Sequence, residues 1–268
     1  MRRPRLVGLP YDASSSFLRG AAEAPPAIRA ALHSPAGNSW TEDGIDLTGV
    51  LEDGVDLPLA PDASAREAIE IGIAAALLDR RVPIALGGDH SVTYPILRAV
   101  ARVHGPVTIL HVDAHPDLYA DYEGDRYSHA CPFARIMEER LATRLVQVGI
   151  RTMTGHQREQ AERFGVEVVS MRQWLAGVRP AIEGRVYVSV DLDGLDPAFA
   201  PGVSHREPGG LSVRDVLGLI HAASGPLVGA DVVELNPRRD VDGVTAAVAA
   251  KIVKELAGRV AAERHRQP

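Results

Sequence analysis

Only one cysteine, Cys131, stands in 268 residues, so no disulfide can form within the chain. A reducing, cytoplasmic setting is the expectation. Long apolar runs are missing too. No stretch approaches the roughly 20 apolar residues of a membrane-spanning helix. The run behind the basic start Met1–Arg5 extends only from Leu6 to Pro10, too short for a signal peptide. Neither sign of charge dominates. The 29 basic and 35 acidic residues leave a net charge of −6, with no basic stripe for nucleic acid and only a weak pull on cationic ligands. Internal repeats and low-complexity tracts are absent. These absences leave a small-molecule partner as the expectation and exclude membrane and nucleic-acid roles.

What is present is enough chain to bury most of its own surface without staples. Nothing in the composition divides it, so residues 1–268 are expected to form a single domain. Short apolar runs mark strands at Leu6–Leu9, Val82–Leu86, Val107–Val112, Leu145–Val148, Val186–Val190 and Leu227–Val233. Several are continuous rather than alternating, as in strands covered on both faces. Helical spacing appears between them. Ser64 and Glu67 read as a capping box before Ile69, Ile73, Ala76 and Leu77. Further helices are expected over Tyr94–Val103, Pro132–Leu141, from a Ser212 cap through His221, and over Val241–Ala262. The segment Ser34–Pro61, rich in Pro, Gly and acids, is expected to be irregular. Alternating strands and helices predict an α/β fold, a three-layer α/β/α sandwich around a mostly parallel sheet.

In such sheets ligands bind beyond the carboxyl ends of the strands. Four predicted strands end in polar clusters: Gly87-Gly88-Asp89-His90-Ser91, Asp113-Ala114-His115-Pro116-Asp117, Asp191-Leu192-Asp193-Gly194-Leu195-Asp196-Pro197 and Glu234-Leu235-Asn236-Pro237. Bringing Asp113, Asp117, Asp191 and Asp193 together is strongly repulsive unless cations compensate. Two imidazoles with four carboxylates suit a borderline-hard ion such as manganese. Alternate residues of an extended segment point the same way, so Asp-x-His-x-Asp and Asp-x-Asp each let one segment supply several ligands.

These motifs, together with Ser189-Val190 ahead of Asp191, resemble the signatures of the ureohydrolase family, which includes arginase, agmatinase, guanidinobutyrase and formimidoylglutamase. Tyr119–Gly124, Tyr127–Cys131 and Gly149-Ile150-Arg151 look most like agmatinases. The resemblance implies an arginase-like fold, a homotrimer or homohexamer, and two Mn2+ per chain. It implies His90, Asp113, Asp117 and Asp191 around one ion, and His115, Asp113, Asp191 and Asp193 around the other, with Asp113 and Asp191 bridging. The ions would activate a water for attack on a guanidino substrate, oriented by Asp117. His129 matches the family's proton-handling histidine and Glu234 the acid that binds the guanidinium. Hydrolysis of agmatine to putrescine and urea is the first expectation. Arginine, guanidinobutyrate and formimidoylglutamate are the alternatives on the same scaffold.

Two stretches depart from the family pattern. Pro201–Gly210 replaces a Gly-Thr-Gly-Thr-Pro type of loop and places His205 and Arg206 near the site, where they would suit a distal carboxylate. Ser14–Gly20 stands where agmatinases carry an Arg-Pro-Gly stretch. A deacetylase-like hydrolase on a related fold is a competing class, but its tandem histidines are missing. A non-catalytic metal-binding scaffold is another, and the intact His129 and Glu234 argue against it. Of the remaining residues, Asp89 is either a turn former or a support for His90, and Asp196 reads as a turn former before Pro197. His111 reads as packing or support, and Cys131 as a small buried residue. His33, His104, His156, His221 and His265 read as surface or core residues. Lys251 and Glu255 read as a solvated pair.

Overall fold

The computed structural model describes residues 3–263; Met1, Arg2 and His265 lie outside them. In chain order the elements are β1 (Arg3–Gly8), α1 (Ala24–Leu32), β2 (Glu52–Asp56), α2 (Ser64–Leu78), β3 (Arg81–Leu86), α3 (Thr93–His104), β4 (Val107–Val112), α4 (Pro132–Glu138), β5 (Ala142–Ile150), α5 (Gly155–Phe164), β6 (Glu167–Ser170), α6 (Met171–Leu175), β7 (Val186–Asp191), α7 (Val213–Ala222), β8 (Leu227–Val233) and α8 (Val244–Ala262). All eight strands join one sheet in the order β2-β1-β3-β8-β7-β4-β5-β6, and every pairing is parallel.

Alternation along the strands divides the core in two. Val82, Ile84, Leu110, Val112, Val186, Val188, Val190 and Val232 face one side, under α1, α7 and α8. Ala85, Ile109, Tyr187 and Val228 face the other, under α2, α3 and α4. This is the expected three-layer α/β/α sandwich. Among the described residues no helix is long and apolar enough to cross a membrane.

Local chemistry explains where sequence and structure part. Ser34–Pro61 is not wholly irregular, because it contains β2. That strand pairs only with β1 at the sheet edge, so it has no apolar pattern to betray it. The helices α1, α5 and α6 carried no expectation. Ser64 does not cap α2. It is the first helical residue, and its hydroxyl donates to Asp62 instead (2.6 Å). True capping boxes start α5 (Thr154, Gln157), α6 (Ser170, Gln173) and, as expected of Ser212, α7. Glu255 is buried rather than solvated, because it faces from α8 into the packed layer. There it accepts from Lys251 (2.5 Å), from the Glu42 N–H (3.1 Å) and pairs with His221 (3.0 Å).

Candidate metal and substrate site

The four adjacent strands β3, β8, β7 and β4 deliver all four polar clusters to one edge of the sheet. His90 opens a short 3-10 turn after β3. Asp113, His115 and Asp117 follow β4, Asp191 ends β7, and Glu234 follows β8. Tight packing sets the bends. A Cβ on Gly88 would fall 1.7 Å from the Tyr11 carbonyl oxygen, so only glycine lets the backbone pass there. Asp117 and Glu234 both hold left-handed backbone, at φ 49° and 64°. That conformation costs a non-glycine residue about 1–2 kcal/mol and persists where surrounding structure enforces it.

His90 is wholly buried, and its Nδ1 lies 3.0 Å from Asp117 Oδ2, 3.1 Å from Asp191 Oδ2 and 3.2 Å from Asp113 Oδ2. Its other nitrogen, Nε2, is a donor. Asp231 accepts from Ser189 Oγ (2.6 Å), Tyr187 Oη (2.5 Å) and Thr93 Oγ1 (3.0 Å). The single Ser189 proton is therefore spent on Asp231, and Ser189 Oγ must accept the proton of His90 Nε2 (3.0 Å). Nδ1 is left without a hydrogen-bond partner, aimed at three carboxylate oxygens. Burial pulls the ring down, but Asp113, Asp117 and Asp191 override it and hold the imidazole well above its ordinary value, so with no ion the ring takes a second proton at Nδ1. A divalent ion in that place would take the Nδ1 lone pair and offset the three carboxylates. Around an octahedral ion with bonds of roughly 2.1 Å, adjacent ligand atoms stand about 3.0 Å apart, which is the spacing found.

A second cluster lies beside the first. His115 Nδ1 is 3.2 Å from Asp193 Oδ2 and 3.5 Å from Asp113 Oδ1. Asp113 thus turns Oδ2 to one group and Oδ1 to the other, as a bridging carboxylate would. Backbone N–H groups fix the acids: His115 donates to Asp113 (2.6 Å), Asp193 to Asp191 (2.8 Å) and Ala114 to Asp193 (3.2 Å). Burial, then the neighbouring Asp193 and Asp113, hold the Asp191 carboxyl well above the usual range, the mark of a cage short of positive charge. The donor set and its spacing fit two ions.

His111 also stands near Asp113, and by distance alone it could join the first group. Both its nitrogens are already engaged, however. Nε2 donates to Asp113 (2.8 Å) and Nδ1 accepts from Gln147 (3.0 Å), while Phe133 stacks on the ring at 3.9 Å. It supports Asp113 instead of taking a ligand place. Gln147, His111, Ser189 and Asp231 are strand neighbours in register. They form one buried polar row beneath the candidate ligands; from sequence, His111 alone reads as a packing or supporting residue.

The substrate side is a cavity of about 170 Å³ lined by Ser16, His115, Asp117, Tyr119, His129 and Glu234, among others. Drug-sized ligands need roughly 300–1,000 Å³, so this one suits a small substrate. His129 Nδ1 lies 2.8 Å from Glu234 Oε1, which also accepts the His90 N–H (2.9 Å). Burial pulls the His129 imidazole down, but the Glu234 carboxylate overrides it and holds the ring up at about 9. His205 lines the cavity, 5.4 Å from the His129 ring and 6.0 Å from His115. Arg206 does not join it. Its guanidinium is exposed and donates to the carbonyls of Pro201 (2.7 Å) and Arg239 (3.1 Å), because the chain turns outward after His205. Asp89 accepts from Ser91 N–H (3.1 Å) and Ser14 N–H (3.0 Å), so it ties the N-terminal segment down and does not touch His90's ring. Asp196 stops its turn through Ala198, Gly209 and Gly210. Cys131 is buried, which pushes its thiol up to about 12.

The sequence pattern of the Arginase family matches residues 3–258. The chain belongs to the arginase family. It is 50% identical to "Arginase 1, mitochondrial" of Arabidopsis thaliana over 95% of this chain and 80% of the relative. It is 36% identical to "Agmatinase, mitochondrial" of Gallus gallus over 93% of this chain and 78% of that one. Its structure matches the arginase from Medicago truncatula with a TM-score of 0.92 at 47% identity, covering 96% of this chain and 87% of the other. As an arginase-family protein it is a hydrolase of guanidino C–N bonds. That membership sets aside both the deacetylase-like reading and the non-catalytic scaffold.

Proposed function

We propose that the chain is a two-manganese arginase that hydrolyses arginine to ornithine and urea. The observation that carries the substrate is the gap between 50% identity to a plant arginase and 36% to an agmatinase over nearly the same length. It displaces agmatine, which the sequence motifs had placed first. Arg206 no longer supports a distal carboxylate, since its guanidinium is committed to carbonyl oxygens outside the cavity.

In this reading His90, Asp113, Asp117 and Asp191 hold one ion, and His115, Asp113, Asp191 and Asp193 the other. Bound there, the ions would supply a water acidified enough to attack near neutral pH. Asp117, which lines the cavity, would orient it. Glu234 binds the guanidinium through a charge-assisted hydrogen bond at Oε2, since its hydrogen bonds with His90 and His129 fall on Oε1. This fixes the carbon at the site, and attack becomes effectively unimolecular. His129, raised to about 9 by Glu234 after burial is overcome, is protonated at neutral pH; with Nδ1–H held by Glu234, the proton it gives the leaving nitrogen is the one on Nε2. Tyr119, Tyr122, Thr152, Thr154 and Gln157 line the rest of the cavity and offer neutral hydrogen-bonding groups to the far end of arginine.

A homotrimer or homohexamer is the assembly inferred from the family, to be sized by light scattering. A cytoplasmic placement rests on the lone cysteine; the similar plant arginases are named mitochondrial. The deciding experiment is urea release by the manganese-loaded protein from arginine, agmatine, guanidinobutyrate and formimidoylglutamate in parallel. Arginine should be turned over fastest by kcat/KM, and a preference for agmatine would overturn the proposal.

A further inference from the structure

The segment from Asp12 to Gly20 belongs to no helix or strand, yet it is pinned along its length. The Gly20 N–H donates to Asp12 (2.7 Å) and the Ser14 N–H to buried Asp89 (3.0 Å). The Ser14 carbonyl accepts the His129 N–H (3.1 Å). The Leu18 carbonyl accepts from Ser204 Oγ and Asn236 Nδ2, each at 2.8 Å. These ties carry Ser16 onto the imidazole of His129. Ser16 Oγ lies 2.8 Å from His129 Nε2, and the Ser16 N–H donates to the same nitrogen at 3.2 Å. The opposite nitrogen, Nδ1, faces Glu234 Oε1 at 2.8 Å. His129 is therefore gripped at both ends. Glu234 can only accept, so Nδ1 carries a proton. At Nε2 the backbone N–H can donate only to the neutral ring, whereas the hydroxyl serves both ring states, donating to the neutral ring and accepting from the imidazolium.

We infer that Ser16 is a positioning residue for His129: its hydroxyl fixes the ring by Nε2 so that Nδ1 stays on the Glu234 side of the cavity through both of its protonation states. The inference rests on the proposed proton-donor role of His129. It gives a task to the N-terminal stretch that departs from the agmatinase pattern. Ser16 is exposed, so removing its hydroxyl creates no buried void.

The test compares manganese-loaded parent, Ser16→Ala and Ser16→Thr. Ser16→Ala should lower kcat on arginine roughly tenfold, the weight of one well-placed hydrogen bond, with KM, metal content and melting temperature unchanged. Ser16→Thr keeps the hydroxyl and should restore most of the turnover. A second readout needs no substrate. A histidine-acylating reagent, followed by mass mapping, should modify His129 faster in Ser16→Ala, where Nε2 is uncovered. Parent-like kcat together with parent-like His129 acylation would overturn the inference, and so would loss of metal or of thermal stability in Ser16→Ala. If the parent itself released urea from no guanidino substrate, the proposed function would fall. The acylation rates would still decide whether Ser16 holds the ring.

Discussion

Replacing Ser189 by Ala removes one hydroxyl and breaks the path Asp231–Ser189–His90 at its middle. His90 Nε2–H loses its acceptor at 3.0 Å and Asp231 loses one of its three donors. All three residues are fully buried, so water does not readily replace the hydroxyl. An orphaned buried donor costs about 1–3 kcal/mol. For a chain of this size each kcal/mol lowers the melting temperature by roughly 2–4 °C, so the metal-free variant should melt roughly 2–12 °C lower. The consequence for metal is more specific. With no acceptor at Nε2, the imidazole loses the partner that holds its Nε2–H and keeps Nδ1 aimed at Asp113, Asp117 and Asp191. Loss of such a partner weakens metal binding about 10- to 100-fold. The His115 cluster keeps its own backbone ties, so the two sites should separate. Titration with manganese against a competing chelator should show one tight and one weakened site. Two sites of parental affinity with an unchanged melting curve would refute the tautomer argument.

Three further outcomes follow from the geometry. Asp191→Ala, which removes an acid expected to serve both ions, should leave fewer than one ion per chain by elemental analysis, and two retained ions would remove Asp191 from the ligand set. His129 must be protonated to act as an acid; that form is present below about 9 and is lost as pH rises through it. Turnover should therefore fall on the alkaline side with a midpoint near 9. Glu234→Gln, by deleting the carboxylate that holds the ring up, should move that midpoint to lower pH at saturating substrate, and a fixed midpoint would break the proposed coupling. Arg206→Ala should leave the ratio of arginine to agmatine turnover unchanged, since the guanidinium is engaged outside the cavity; a selective loss on arginine would return it to the site.

The strands that build the site were legible because burial on both faces writes continuous apolar runs. β4 and β8 match their expected bounds at both ends. β2 was not legible, since an exposed edge strand needs no apolar pattern. The ligand-type residues were visible as motifs because each cluster lies within one short segment. Ser16 was noted only as part of an unusual stretch, for nothing local reveals a partner 113 positions away. The polar row was readable in principle. Gln147, His111, Ser189 and Asp231 each interrupt a short apolar run within its strand, and a buried polar residue must find a partner. Lining them up required the strand order, which the motifs do not specify. His205 and Arg206 show the finest limit: adjacent residues point to different sides of one turn, and only His205 reaches the cavity.

The strand order also sets a timetable for assembly. β3 and β4 carry His90 and Asp113–Asp117, yet they are not neighbours, because β8 and β7 lie between them. A growing chain has made four of the six proposed ligands by residue 117, but the strands that carry them share no pairing until residues 186–233 arrive and fill the gap. Such long-range closure is slow compared with local folding, and until it happens β3 and β4 each present an open edge that is prone to wrong pairing. A metal centre completed by the last two strands would not nucleate this sheet. Its ions would be captured in full only after the topology is complete, so in the parent chain full metal loading would follow folding and not guide it.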